Sequence, residues 1–204
     1  MTAAVSPAST LREPGTMPLV EVYKELALQD PSGGWEFAPC VGIRKKPPMS
    51  TEHNSSNSAL AIEIGVQLRG QPFWVLTGAP ALQLVDGEHY FMPDVCVIPH
   101  TARQPRSNRP MGLETIAAPL PLVVEVWSPS TGEYDMDTKF AEYKARGDQE
   151  IWRVHPYEMT VTVWRRQPDG AYTESVYTES VYTAGDIPVL SLPGVVIPFD
   201  VLFQ

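Results

Sequence analysis

Leu120-Pro121-Leu122-Val123-Val124-Glu125-Val126-Trp127 is an apolar run broken by a single acid. A stretch this short and this rich in β-branched residues predicts a central strand covered on both faces, because consecutive apolar side chains cannot all point into one layer. The acid is the informative residue. A carboxylate among valines has to be neutralised, hydrogen-bonded or metal-bound, since leaving it charged and alone in a low-dielectric strand costs several kcal/mol.

On the N-terminal side, Met92-Pro93-Asp94-Val95 sets a second acid within the apolar run 90–98, reached from residues 82–85 through the hairpin-turn signal Asp86-Gly87. Two such carboxylates on neighbouring strands make a site for a hard divalent cation. Magnesium, or manganese in its place, suits it, because the ion needs one or two carboxylates and keeps waters that can be activated. The same residues also allow Asp94 and Glu125 to be structural acids, each paired with an arginine.

On the C-terminal side, Asp135 or Asp137 offers a cap for a helix running to Arg146 and ended by Gly147, with Met136, Phe140 and Tyr143 along one stripe. Residues 151–154 and 160–165 read as strands joined through His155-Pro156. Upstream, residues 18–29 (Leu19, Tyr23, Leu26, Ala27) and 57–69 (Leu60, Ile64, Leu68) show helical spacing, while 35–43 and 73–77 read as strands. Arg44-Lys45-Lys46-Pro47-Pro48 reads as loop. Tyr172-Thr173-Glu174-Ser175-Val176 is followed at once by a second copy, and the odd period of five predicts a lengthened hairpin arm rather than a stacked solenoid unit. The expected class is α/β (α+β): a mixed β-sheet core flanked by helices.

With 204 residues, 43% apolar and 19% charged, the chain can bury a core and is not disordered. We expect one domain at 17–204 behind a flexible tail at 1–16. The net charge of −9 repels polyanions, so a nucleic-acid partner would need a local basic patch. Arg103, Arg106 and Arg109, in an acid-free loop at 101–110, and Arg44 to Lys46 are the candidates, with solvated turns as the plainer reading. Cys40 and Cys96 form neither a disulfide framework nor a zinc spacing. Without a secretory pattern or a run of ~18 apolar residues, the expectation is a cytoplasmic protein with no membrane contact. Nucleophile-elbow, phosphate-loop and dinucleotide motifs are missing.

The Pro93-Asp94 pair followed about thirty residues later by Glu125 resembles the metal-dependent PD-(D/E)XK superfamily of restriction-endonuclease-like folds. Val123 to Ser130, the spacing from Asp137-Thr138-Lys139 to Tyr143, Glu150-Ile151-Trp152-Arg153-Val154-His155-Pro156 and the closing Leu192-Pro193-Gly194 are similar to its Uma-type branch of bacterial endonucleases. The resemblance covers 17–203 and implies a restriction-endonuclease-like fold with Asp94 and Glu125 as metal ligands. The position two residues after the Glu, where the superfamily carries lysine, holds Trp127. In the branch the lysine moves to the next helix, which implies Lys139 as the catalytic amine, with a solvated surface lysine as the alternative. Tyr143, four residues on, shares its helical face. Glu36 resembles the branch's early Glu, which implies a catalytic role in support of a metal-bound water, although Ala38-Pro39-Cys40 replaces the usual acidic-Gly segment, and His53 resembles the histidine that opens its second helix, a position also suited to capping or packing.

The implied activity is metal-dependent hydrolysis of phosphodiester bonds in nucleic acid, DNA ahead of RNA, by a metal-activated water, in a chain expected to form a homodimer. The rival reading is an acidic, dimeric interaction protein that keeps the nuclease-like fold without catalysis.

Overall fold

In a computed structural model of the chain, which describes residues 18–30, 32–78, 81–83, 88–102, 113, 115–132, 138–178 and 185–204, the strand of Glu125 lies inside a six-stranded sheet. The tail 1–16, the loop arginines Arg103, Arg106 and Arg109, the Asp86-Gly87 turn, Asp135, Met136, Asp137 and the second copy of the pentad beyond residue 178 lie outside the described residues. Backbone contacts divide the chain into two compact units.

The first unit comprises Met1–Pro47, Pro80–Met92 and Gln104–Ala117. Its sheet has the order β2 (Gly42–Lys45), β1 (Trp35–Ala38), β5 (Tyr90–Phe91), β4 (Ala81–Gln83), β7 (Thr115–Ile116). Helix α1 (Leu19–Gln29) supplies the fully buried Tyr23, whose ring lies 5.9 Å from that of Phe37 and 4.9 Å from that of Tyr90. Tyr23 and Ala27 of the expected stripe pack inward together with Val20, while Leu19 is exposed, so Val20 takes the place expected of Leu19. Arg44 and Lys45 are not loop but the end of β2, where Lys45 pairs with Asp30 at 2.5 Å and Lys46 bonds the Met92 carbonyl at 2.8 Å. Those contacts occupy two of the three cations expected as a possible phosphate track.

The second unit comprises Pro48–Ala79, Pro93–Arg103 and Ala118–Gln204. Its sheet has the order β11 (Tyr172–Thr178), β10 (Thr160–Arg166), β9 (Glu150–His155), β8 (Leu122–Val126), β6 (Val95–Pro99), β3 (Phe73–Thr77). All its pairings are antiparallel except the central one between β8 and β9. All five β8 residues are buried, as a strand covered on both faces must be.

One face of this sheet, with Val95, Val97, Val124, Trp152 and Val154, packs against Leu60, Ile64 and Leu68 and the C-terminal Ile187, Ile197, Phe199 and Leu202. These come from helix α2 (Thr51–Gln67), its C-terminal cap, the β12–β13 ribbon (Asp186–Pro188, Val196–Pro198) and a closing 3₁₀ segment (Phe199–Phe203). The other face is covered by α3 (Phe140–Arg146), whose Phe140 ring meets Trp164 edge-on at 4.2 Å.

Two boundaries differ from expectation. Helix α2 starts at Thr51, six residues before the expected residue 57, because Ser50 caps it by accepting the His53 N–H at 3.2 Å. Residues 90–98, expected as one strand, are two strands in two sheets. Pro93, without an N–H to donate, ends the first pairing, and β6 starts only at Val95. Tyr172–Thr178 forms a hairpin with β10.

Candidate active site

The centre of the second unit gathers charged side chains that the sequence scatters over almost a hundred positions. Cys96 pairs with Val123 and Val95 with Val124, so one further step sets Asp94 opposite Glu125. Asp94 embraces the strand around that residue. Its backbone N–H donates to the Val124 carbonyl at 3.1 Å and its Oδ2 accepts the Val126 N–H at 2.8 Å, one residue on either side of Glu125. With Pro93 before it, the side chain of Asp94 completes the ladder where β6 has not yet begun.

His53, in the first turn of α2, approaches the same Oδ2 with Nε2 at 3.1 Å. The carboxylate accepts, so Nε2 carries the proton of this contact. His53 is buried and its Nδ1 has no hydrogen-bond partner, so the ring is held by Asp94 on one side only.

Glu125 Oε1 accepts from the Tyr143 hydroxyl at 2.6 Å and from Lys139 Nζ at 3.2 Å. Lys139 is fully buried and Tyr143 nearly so. Four residues apart, they point from one face of α3 and the π-helical residues 138 and 139 that lead into it. A lysine with none of its surface in water needs a counter-ion, because removing both charges from water is repaid only by close pairing and further hydrogen bonds.

Trp127, two residues after Glu125, is taken up by ring packing. The indole stacks on His155 at 4.2 Å and 20°, and Tyr157 meets it edge-on at 5.8 Å. A Cβ built on Gly132 would stand 2.0 Å from Trp127 Nε1, so glycine is required where the 128–132 turn crosses the ring. Ser128 and Thr131, hydroxyl to hydroxyl at 2.8 Å, close that turn and are spent on it. Burial lowers the His155 pKa from its ordinary value; Glu158 opposes the shift and Arg153 adds to it.

Glu36 lies in the first unit, on β1, where its Oε1 accepts the Met92 N–H at 2.9 Å. Asp94, Glu125, Lys139, Tyr143 and His53 are brought together in the second unit.

Two further groups are not among the expected site residues. Arg146 and Asp148 form a buried pair at 2.8 Å, and Asp148 Oδ1 also accepts the Leu120 N–H at 2.7 Å, tying the end of α3 to the start of β8. Burial pushes the Asp148 carboxyl up, with Arg146 pulling the other way, and burial takes the neighbouring Cys96 thiol to about 12, leaving it an inert core residue. In sequence, Arg146-Gly147-Asp148 looks like a solvated helix end. Arg153 is the second group; alternation along β9 was the signal that could have found it.

Among the described residues no group of three or more His, Cys, Asp or Glu could hold a metal ion. Magnesium asks less: one or two carboxylates, with water filling the remaining octahedral positions. The donor chemistry of Asp94 and Glu125 fits that demand, and fits a dedicated all-protein cage poorly.

Residues 21–199 match the profile of the Uma2 family, described as "Putative restriction endonuclease". The chain belongs to the Uma2 family. A crystal structure of a nuclease from Anabaena variabilis, described as putative and as belonging to DUF820, matches this Uma2 chain with a TM-score of 0.66 at 20% identity, over 83% of this chain and 89% of that one. At that identity the likeness establishes the nuclease-type fold. No curated protein matches the chain. Among the described residues of this Uma2 protein, no helix is long and apolar enough to cross a membrane.

Proposed function

We propose that the chain is a divalent-metal-dependent endonuclease that hydrolyses phosphodiester bonds of nucleic acid, with DNA as the preferred substrate. The observation that carries this reading is the approach of the buried Lys139 ammonium to Glu125, 3.2 Å away, on the strand whose ladder Asp94 completes. Family membership supports the nucleic-acid substrate, and the word restriction in its description supports DNA.

Asp94 and Glu125 would hold the ion, with magnesium or manganese supplying an acidified water and neutralising charge on the phosphoryl group. The protein's own residues do the rest. Tyr143 holds Glu125 Oε1, and His53 with the Val126 N–H holds Asp94 Oδ2, so neither carboxylate swings freely. Lys139, in reach of Glu125, orients the attacking water and meets the negative charge that grows on phosphorus-bound oxygen.

The test is cleavage of supercoiled plasmid in magnesium and in manganese by the wild type, Asp94→Asn and Glu125→Gln. These isosteric changes should abolish nicking while the melting curve stays cooperative. Undiminished cleavage by both variants would overturn the reading. A folded wild type that neither binds nor cuts DNA or RNA would favour the non-catalytic interaction protein, for which the net charge of −9 speaks.

A further inference from the structure

The row of charged side chains across the sheet does not stop at Glu125. In the parallel register of β8 and β9, Glu125 stands beside Arg153, and Arg153 stands beside Thr162 on β10. Strands lie about 4.8 Å apart, so Arg153 starts one strand spacing from the candidate metal ligand. Trp152 and Val154 face the core under α2, so by alternation Arg153 faces the side where Lys139 and Tyr143 meet Glu125.

The surroundings of this guanidinium set it apart. Lys139 has Glu125, Arg146 has Asp148 and Arg165 has Glu150, at 3.2, 2.8 and 2.6 Å. Arg153 has no carboxylate within ion-pair distance among the described residues. Its Nε is buried without a hydrogen-bond partner, and its one hydrogen bond, from Nη2 to Thr162 Oγ1, is 3.5 Å long. A half-buried cation left in this condition costs stability, and a fold keeps such a cost where a ligand uses the charge. The planar fork of arginine matches two oxygens of a phosphate, which a hydroxyl or a single acid would not use fully.

We propose that Arg153 is a phosphate-binding residue of this site, taking a non-bridging oxygen of a phosphodiester laid against Glu125. The proposal rests on the nuclease reading above and deepens it. Arg153 binds and positions the phosphodiester, while Asp94, Glu125 and Lys139 act on it.

The experiment measures anisotropy of a fluorescein-labelled DNA duplex with the full chain, in calcium so that cutting does not intervene, over a range of salt. Wild type, Arg153→Met and Arg153→Lys are compared, each with a melting curve. Arg153→Met should weaken binding about tenfold or more, the loss expected of a charged hydrogen bond. It should also lower the slope of log affinity against log salt by about one. Arg153→Lys should keep the slope and recover only part of the affinity, having the charge without the fork. Melting of Arg153→Met should be unchanged or higher, because a half-buried guanidinium whose Nε has no hydrogen-bond partner has gone.

Cleavage and binding by wild type with unchanged affinity and slope in Arg153→Met would overturn this proposal and leave the nuclease reading intact. A wild type without binding would overturn both. A fall in melting of Arg153→Met that Arg153→Lys reverses together with binding would make the residue structural and also overturn it. So would a loss that depends on duplex sequence, since a phosphate contact carries no base information.

Discussion

Lys139 and Glu125 depend on each other for burial. The ammonium has no surface in water and the carboxylate very little, so each offsets part of the other's desolvation. Lys139→Met removes the cation that stands 3.2 Å from Glu125 Oε1, while the Tyr143 hydroxyl, a neutral donor to the same oxygen, stays. By analogy with other broken buried pairs the variant should lose about 3–5 kcal/mol in urea unfolding. Adding Glu125→Gln to Lys139→Met also removes the carboxylate charge that faced the lysine and should recover most of that loss. A single variant as stable as wild type would show that the pair contributes nothing to the fold. Had Lys139 been a solvated surface residue, its truncation would have cost almost nothing, so this measurement also separates the two readings that the sequence left open.

At the scale of elements, the 128–132 turn and Trp127 form a single packed unit that leads from β8 toward α3. Gly132→Ala would put a methyl group inside contact distance of the indole, 2.0 Å from Nε1, and the ring cannot retreat because His155 is stacked against it. Overpacking of this kind costs about 1–3 kcal/mol, and tryptophan emission should shift as the indole is displaced. The same glycine change made in Trp127→Leu should cost much less, since the obstacle is gone; equal costs in the two backgrounds would show that the turn does not rest on the ring. What was legible at this scale was what hydrophobic spacing controls. The β8 strand could be read because every neighbour of Glu125 is apolar. The first turns of α2 could not, because the inward positions there are polar: His53 bonds Asp94, and Ser56 donates to the Leu202 carbonyl at 2.6 Å. Helices anchored by hydrogen bonds leave no apolar period to detect. Arg153 escaped for a related reason, as its importance comes from the neighbour across the sheet and not from the residues beside it in sequence.

At the scale of the whole molecule, local pattern indicated the α/β mix and a central buried strand, while the distribution of strands among a five-stranded sheet, a six-stranded sheet and a two-stranded ribbon came from pairings that no window contains. Asp94 and Glu125 become neighbours only through the register of β6 on β8. The global property that would report on their pairing is stability in the presence of a divalent ion. An ion that binds the folded chain alone adds about 2.7 kcal/mol at a hundredfold excess over its dissociation constant. For a chain of 204 residues this raises Tm by about 5–10 °C, at the ~2–4 °C per kcal/mol usual for that size. A confounding effect has the same sign. A chain with a net charge of −9 repels itself, and any divalent cation relieves some of that repulsion by screening. Asp94→Asn separates the two, because it changes the overall charge by one and so keeps nearly all of the screening gain while it removes a ligand. Magnesium or manganese should therefore raise Tm of the wild type well beyond that of Asp94→Asn, in scanning calorimetry at fixed ionic strength. Equal shifts in the two proteins would assign the whole effect to screening, and the two carboxylates would then be a structural feature of the sheet.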